Sequence, residues 1–424
     1  FVTKISNNKP RVIRNRKPVY LLSLILMLCS SCQNSDPLQR LIAAHPELSQ
    51  VAGKPSHKVQ IIYTQIDRDA EQQPQFTTYT YGLDTNHYFY PASTVKLPTA
   101  LVALERLHEL DSEGLDRHTT FLTGAATPPQ TAVLVDSSKA DLHPTIAHYI
   151  KKILLVSDND AYNRLYEFLG QGYLNERLHE KGYTRTRLLH RLSVSGYDSL
   201  DNRRTNPATF LQGDSVVYQQ PEANTNAYPQ WSLENQIQGK AQVNNAGKRI
   251  EQPFDFRYKN YMSLLDLHDI LQALLFPKSV PEASTFDLQA ADYELIYRYM
   301  SMLPRESTEP AYPELADWDD YVKFLLYGSS KQRIPEHIRI FNKVGDAYGY
   351  LTDAAYIIDT KNGVEFLLAA TIHVNANETF NDGVYEYEEI GFPFLQRLGE
   401  VVYAHELDRE RLYRPNFDRF LFEQ

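Results

Sequence analysis

Residues 90–101, YPASTVKLPTAL, are the stretch on which the fold reading turns. Leu97, Leu101 and Leu104 recur at helical spacing, so a helix is predicted over 94–107. Ser93 and Lys96 stand at its start. Positions i and i+3 share a helix face, so the lysine can reach the serine hydroxyl. Serine alone is a weak nucleophile and needs an adjacent base. A lysine in a desolvated cleft loses its proton and can be that base. The helix N-terminus adds a dipole that favours developing negative charge. The pattern alone is weak, since composition yields roughly two in a chain of this size. Ser6-Asn7-Asn8-Lys9 is a second match. Taken by itself, Ser93 reads as an N-cap.

Upstream, residues 58–67 (KVQIIYTQID) read as a strand. Residues 76–90 (FTTYTYGLDTNHYFY) read as a second strand with a turn at Gly82-Leu83-Asp84. Downstream the pattern is mostly helical to about residue 330. Ile146, Ile150, Ile153 and Leu154 form one stripe, Leu165 and Leu169 continue in a helix that stops at Gly170, and 262–275 forms another. The Gln-, Asn- and Pro-rich segment 213–259 reads as long loops with a hairpin. Strands return at 338–344, 351–359 and 364–374, the last two joined by Lys361-Asn362-Gly363. A final helix carries Phe394, Leu395, Leu398 and Val402. Two strands, a helical block, three strands and a helix imply an α/β (α+β) fold. One antiparallel sheet is built from both chain ends, with flanking helices and an inserted all-α lobe.

Two further motifs carry chemistry. Ser157-Asp158-Asn159 lies between helical stripes, in a turn whose side chains can point outward. Ser157 could relay a proton from Lys96 or Lys343 to a leaving nitrogen. Asn159 offers an amide that can bind a substrate carbonyl and a lysine at once. A plain capping turn is the competing account. Lys343-Val344-Gly345 ends a β run, and its glycine lets a ligand approach the strand edge. The backbone N–H of Asp346 could form an oxyanion hole with that of Ser93. Lys361-Asn362-Gly363 repeats the pattern but is explained by its hairpin.

Ser-x-x-Lys, Ser-Asp-Asn and Lys-x-Gly occur in that order and in fitting contexts. At this point the chain resembles the penicillin-recognising serine hydrolases, and among them the class A β-lactamases. YPASTVKLPTAL is similar to the family's nucleophile motif, SDNDAYNRL to its SDN loop, and KVGDAYGYLTDAAYIID to its Lys-Thr-Gly strand, turn and next strand. The resemblance covers about 57 to about 405. It implies a five-stranded β-lactamase/transpeptidase-like fold with the site between lobes. It implies Ser93 as nucleophile, Lys96 as its base partner, Ser157 as proton relay and Lys343 in carboxylate recognition. Asn159, Gly345 and the Asp346 N–H become substrate-binding groups.

The chain departs from the family in three places. The family's Arg-x-Glu stands here as Arg191-Leu192-Ser193, in a loop (189–207) whose only carboxylates are Asp198 and Asp201. Without that glutamate, deacylation is slow and a stable acyl-enzyme is expected; Asp201 is expected to pair with Arg191 or Arg203 and hold the loop. The family's threonine is Val344, which keeps the strand shape but loses a donor. The interval from Ser157 to Lys343 is long, and 213–259 accounts for it.

Composition narrows the alternatives. The 424 residues carry 43 Lys+Arg against 53 Asp+Glu, a net charge of −10, which argues against nucleic-acid binding by a basic surface. Six basic residues precede an apolar run over 19–29, the form of a secretory signal and too short for a comfortable transmembrane helix. Leu28-Cys29-Ser30-Ser31-Cys32 resembles a bacterial lipobox with Cys32 as lipid acceptor. The only two cysteines are Cys29 and Cys32, so the rest of the chain has no internal disulfide or cysteine metal site. The predicted organisation is a lipoprotein signal peptide over 1–31, a tether and N-terminal helix over 32–56, and one catalytic domain over 57–424. Within it the α/β part is about 57–92 and 335–410, and the helical lobe about 93–334 with an insertion about 213–259.

Thirteen histidines without His-Glu-x-x-His or a tight pair read as scattered over the surface, so no metal or cofactor is expected. No Gly-x-Ser-x-Gly elbow occurs. Two function classes remain. One is an exported, membrane-anchored serine hydrolase that opens a β-lactam through an acyl-enzyme, or a D-Ala-D-Ala peptidase or other amidase or esterase acting on peptidoglycan stem peptides. The other is a non-catalytic sensor of β-lactam or peptidoglycan.

Overall fold

The computed structural model describes residues 36–226 and 233–422. The signal segment and the lipobox, Cys29 and Cys32 included, lie outside the described residues. Among the described residues no helix is long and apolar enough to cross a membrane.

The chain enters through two short helices, α1 (Pro37–Ala44) and α2 (Pro46–Ala52), split where Pro46 opens the second. Strands β1 (Gln60–Arg68) and β2 (Pro74–Tyr81) follow. The helical lobe comprises α3 (Lys96–Leu110), α4 (Ile146–Val156), α5 (Asn159–Leu169) and α6 (Gln171–Glu180), with β3 (Thr120–Thr123) between the first two. A hairpin of β4 (Ala208–Gln212) and β5 (Ser215–Gln220) pairs with β3. It straddles the start of the segment in which a hairpin is expected. Helices α7 (Leu264–Leu275) and α8 (Ala290–Ser301) lead back to β6 (Ile338–Ala347), β7 (Tyr350–Asp359) and β8 (Val364–His373), and α9 (Phe392–Asp408) follows.

The five long strands form one antiparallel sheet in the order β6-β7-β8-β1-β2. This is the fold class read from the sequence. Every residue of β7 and β8 is buried because both sheet faces are covered. One face packs against α1, α2 and α9 through Leu38, Ile42, Phe366, Leu395 and Val402. The other meets α7, α8 and the helical lobe through Phe341, Tyr356, Ile270 and Ile296. β2 and β6 are the two edge strands, and β2 leaves half its residues exposed, with Phe76 packed on one face of the sheet and Tyr79 and Tyr81 on the other.

Two turns set the register. Tyr348 (φ 55°) and Gly349 (φ 79°) join β6 to β7, both in the left-handed region a two-residue hairpin requires. The β7–β8 loop is longer than an Asn-Gly turn: Asp359 pairs with Val364, and its Oδ1 accepts the N–H groups of Lys361 and Asn362.

Two expectations are corrected. Residues 85–90 do not continue the second strand; after Gly82 the chain leaves the sheet. Tyr88, Phe89 and Tyr90 bury their rings beside Phe256, Tyr261 and Tyr350, because aromatic bulk is needed where the lobes meet. The histidines are not confined to the surface either. His57, His148, His268 and His373 are buried. His57 Nδ1 lies 2.9 Å from the Val51 carbonyl, and His148 Nε2 lies 2.9 Å from the Ser138 hydroxyl.

A buried polar network ties the sheet to the segment that precedes β6. Asp353 on β7 accepts the N–H groups of Phe324 (3.1 Å) and Leu325 (3.0 Å), and the Asn342 amide (2.9 Å). Lys323 Nζ donates to the carbonyls of Met300 and Ile340 and to Asn342 Oδ1. Burial pushes Asp353 up to about 6 and Lys323 down to about 7. Asp353→Ala leaves the N–H groups of Phe324 and Leu325 without acceptors and the Asn342 amide with only the Val322 carbonyl, so it is expected to destabilise the protein by roughly 3 kcal/mol in urea unfolding.

Candidate active site

The Ser93 turn is built by strain and close approach. Ala92–Val95 is a single 3₁₀ turn before α3, and Ala92 takes φ 47°. The helix start inferred from sequence is therefore a tighter turn, in which i and i+3 eclipse and Ser93 and Lys96 still share a side. Ser93 makes no N-cap hydrogen bond and is half-buried at the cleft wall. Gly345 explains how the turn is held. A Cβ there would lie 2.5 Å from the Pro91 carbonyl and 2.8 Å from the Ser93 nitrogen. The glycine thus admits the Ser93 turn to the strand, rather than only a ligand as its position suggested.

Lys96 is fully buried at the base of α3. Its Nζ donates to Asn159 Oδ1 (2.7 Å), to the Ser157 carbonyl and, at 3.3 Å, to Ser157 Oγ. Desolvation, then the charge of Lys343, hold its pKa well below that of a free lysine. Lys343 on β6 donates to the same Ser157 Oγ (2.8 Å) and to the Val344 carbonyl (2.9 Å), and burial pushes it down to about 7. One hydroxyl therefore sits between two lysines from opposite lobes.

The Ser157 turn both caps helices and presents chemistry. Ser157 ends α4 in a left-handed conformation (φ 58°), and Asp158 N-caps α5 by accepting the Ala161 N–H at 2.7 Å. These two caps fix the directions of Ser157 and Asn159. Asn159 spends its oxygen on Lys96, and its Nδ2 donates to Ser193 Oγ at 3.0 Å.

Ser193 belongs to the loop over 189–207. Asn163 clamps the loop at Leu192, accepting its N–H at 2.8 Å and donating to its carbonyl at 3.0 Å. Arg191 bonds Glu167 on α5 at 2.6 Å, both nearly without exposure, and donates to Asn206 Oδ1 and the Arg204 carbonyl. The expected pairing of Asp201 with Arg191 or Arg203 does not occur. Asp201 pairs with Arg204, because its short 3₁₀ turn points the carboxylate along the loop, while Arg191 turns inward to a buried carboxylate. Asp198 Oδ1 caps that turn through the N–H groups of Leu200 and Asp201. Sequence reasoning missed Glu167 as the partner of Arg191. A carboxylate among the apolar residues of YEFL was the available signal.

Between the lobes lies a cleft of about 2210 Å³ whose walls include Ser93, Ser157, Asn159, Ser193, Val344 and Asp346. Asp346 is exposed to it at the end of β6. Desolvation there raises its pKa, against the lowering charges of Lys343 and Lys96. Ser93, Lys96, Ser157, Asn159, Lys343, Gly345 and Asp346 thus meet in one place. Cys32 lies outside the described residues. Among the described residues, Asp84, His87 and Glu234 bring ligand-type atoms within 4.8 Å of one another, largely exposed and away from the cleft walls.

A family model described as "Beta-lactamase enzyme family" matches residues 44–275. No curated protein matches the chain. Among solved structures, a β-lactamase from Desulfarculus baarsii DSM 2075 is 14% identical, with 86% of this chain and 97% of that chain covered and a TM-score of 0.45. A β-lactamase from Xanthomonas campestris pv. campestris str. ATCC 33913 is also 14% identical, with 87% and 96% covered and a TM-score of 0.46. A structure titled "Structure of PBP-A" is 15% identical, with 87% and 94% covered and a TM-score of 0.48.

The buried Arg191–Glu167 pair generates a prediction for the loop. Arg191→Ala removes the loop's anchor but leaves Arg164 paired with the buried Glu167 carboxylate at 2.9 Å, so the loss should fall below the about 3–5 kcal/mol of a stranded buried charge. Urea unfolding should register that loss, and limited proteolysis should cut faster between residues 193 and 200 than in the parent protein.

Proposed function

Because the chain belongs to the beta-lactamase enzyme family, whose model spans residues 44–275, we propose that it is a serine hydrolase of the class A β-lactamase type that forms an acyl-enzyme on Ser93. The observation that carries this is the sharing of Ser157 Oγ by two buried lysines, beside a serine on a strained turn. Lys96, whose pKa burial holds well below that of a free lysine, takes the Ser93 proton as Oγ attacks the carbonyl carbon of an amide. The N–H groups of Ser93 and Asp346 receive the negative charge on the carbonyl oxygen. Ser157 passes a proton to the leaving nitrogen, and Lys343 holds Ser157 in place and offers a cation to an anionic substrate. Asn159 orients Lys96 and the substrate amide. Cys32 carries a lipid that anchors the exported protein to a membrane.

The loop over 189–207 favours a second reading of the outcome. Ser193 stands where the resemblance places a glutamate, and a neutral hydroxyl is a poor base for activating water. Asp198 and Asp201 are engaged in their own turn. The acyl-enzyme is therefore long-lived, as suits a penicillin-binding peptidase or a β-lactam sensor better than a fast β-lactamase.

The protein without residues 1–32, mixed with nitrocefin and with fluorescent penicillin, tests both readings. Covalent labelling of Ser93 seen by intact mass, with slow nitrocefin turnover, is the expected result, and Ser93→Ala should abolish both. Fast turnover lost in Ser93→Ala would make it an efficient β-lactamase. Neither signal from folded protein would overturn the proposal.

The pH dependence follows from the two lysines. Lys96 must be neutral, so acylation falls as pH drops through its lowered pKa. Lys343, pushed down to about 7, loses its charge above that pH. Acylation by a penicillin carboxylate should therefore also decline above about pH 7, and Lys343→Arg should move this alkaline limb upward, as a pH–rate profile can read.

A further inference from the structure

Building on the reading of Ser93 as nucleophile, we propose that Asp346, Tyr321 and Tyr387 form a subsite that takes an ammonium group of the substrate. Successive strand side chains alternate faces. Lys343 reaches across to Ser157, and Gly345 packs on the Ser93 turn. Val344 and Asp346 take the other side, and both line the cleft. Val344 packs into the core on that side, so at this end of the strand the Asp346 carboxylate is what faces the open cleft.

The Asp346 carboxylate is exposed and accepts no hydrogen bond among the described residues. The two cations whose charge acts on it are bonded elsewhere. Lys343 bonds Ser157 and the Val344 carbonyl, and Lys96 bonds Ser157 and Asn159. Arg257 pairs with Asp255, and Lys259 lies over the Phe254 and Tyr348 rings.

Tyr321 and Tyr387 line the same cleft. Burial, and then the charge of Asp346, push both hydroxyls up, so both rings stay neutral beside the carboxylate. The Gly349 N–H fixes the Tyr387 hydroxyl at 2.8 Å, and Trp318 meets Tyr321 edge-on at 5.2 Å. Glu314 and Asp158 add negative charge near Tyr321. Neutral aromatic rings around an unpaired carboxylate are the chemistry that recognises an ammonium group. The substrate class is an amide or ester acyl donor bearing a primary amine, such as a peptide with a free diamino-acid side chain.

The test separates this subsite from the nucleophile. Binding of Nα-acetyl-lysine amide and of its Nε-acetylated, uncharged analogue is measured by calorimetry on the Ser93→Ala protein. The free ammonium should bind at least tenfold tighter, and Asp346→Asn should reduce that preference below threefold. Tyr321→Leu should weaken it without abolishing it. Equal binding of the two probes, binding of neither, or a preference kept in Asp346→Asn overturns the proposal. In parallel, acylation by ampicillin, benzylpenicillin and carbenicillin is followed by intact mass on the protein with Ser93 in place. No adduct from any of the three, with the ammonium preference present, would sink the nucleophile reading and sustain the subsite. An adduct on Ser93 without the preference would do the reverse.

Discussion

The contact between Gly345 and the Ser93 turn is the constraint on which the site depends. Only a residue without a Cβ lets β6 reach the Pro91 carbonyl and the Ser93 nitrogen. That approach sets the end of a sheet strand against the start of a helix from the other lobe. Lys343 then enters from the sheet and Lys96 from the helix, and both reach Ser157. A side chain at 345 would part the lobes and separate the two lysines.

Placing two lysines around one hydroxyl carries an electrostatic penalty, and it falls on groups whose charged form burial already disfavours. Burial lowers both pKa values, and the charge of Lys343 lowers that of Lys96 further. Asp346 and Asp158 act in the opposite sense on Lys96, but they lie at the cleft rather than in contact with it. In the proposed mechanism, the same burial that destabilises the charged lysine equips it as a base. Stability and chemistry therefore pull against each other at this point, and the surrounding scaffold absorbs the strain. The Asp353–Asn342–Lys323 network beneath β6 and the Asn163 clamp on Leu192 are parts of that scaffold.

The cleft is divided in character. Near Ser93 its polar groups are paired across the lobes. Toward Tyr321 and Tyr387 it is aromatic and acidic, and Val344 supplies no donor there. On the opposite wall, Ser193 meets Asn159 where the resemblance led one to look for a carboxylate. Under the proposed function, these features furnish the site for acylation and leave release without a carboxylate base.

Periodicity and turn chemistry made most of the elements legible in the sequence. Apolar stripes marked the helices, β-branched and aromatic runs marked the strands, and the order of elements implied a sheet closed from both chain ends. The motif residues could be picked out, because Ser, Lys and Asn at those spacings have few other uses in combination. Residues 85–90 misread as strand because their aromatic run is buried where the lobes meet, and they pair only through an isolated bridge from His87 to Glu234 outside the sheet. What the sequence could not determine was which distant groups meet. Arg191 chose Glu167 over Asp201, Ser193 reached Asn159, and Asp346 was left facing the cleft without a partner. Those outcomes depend on distances between segments far apart in the chain, and only the packing of the two lobes sets such distances.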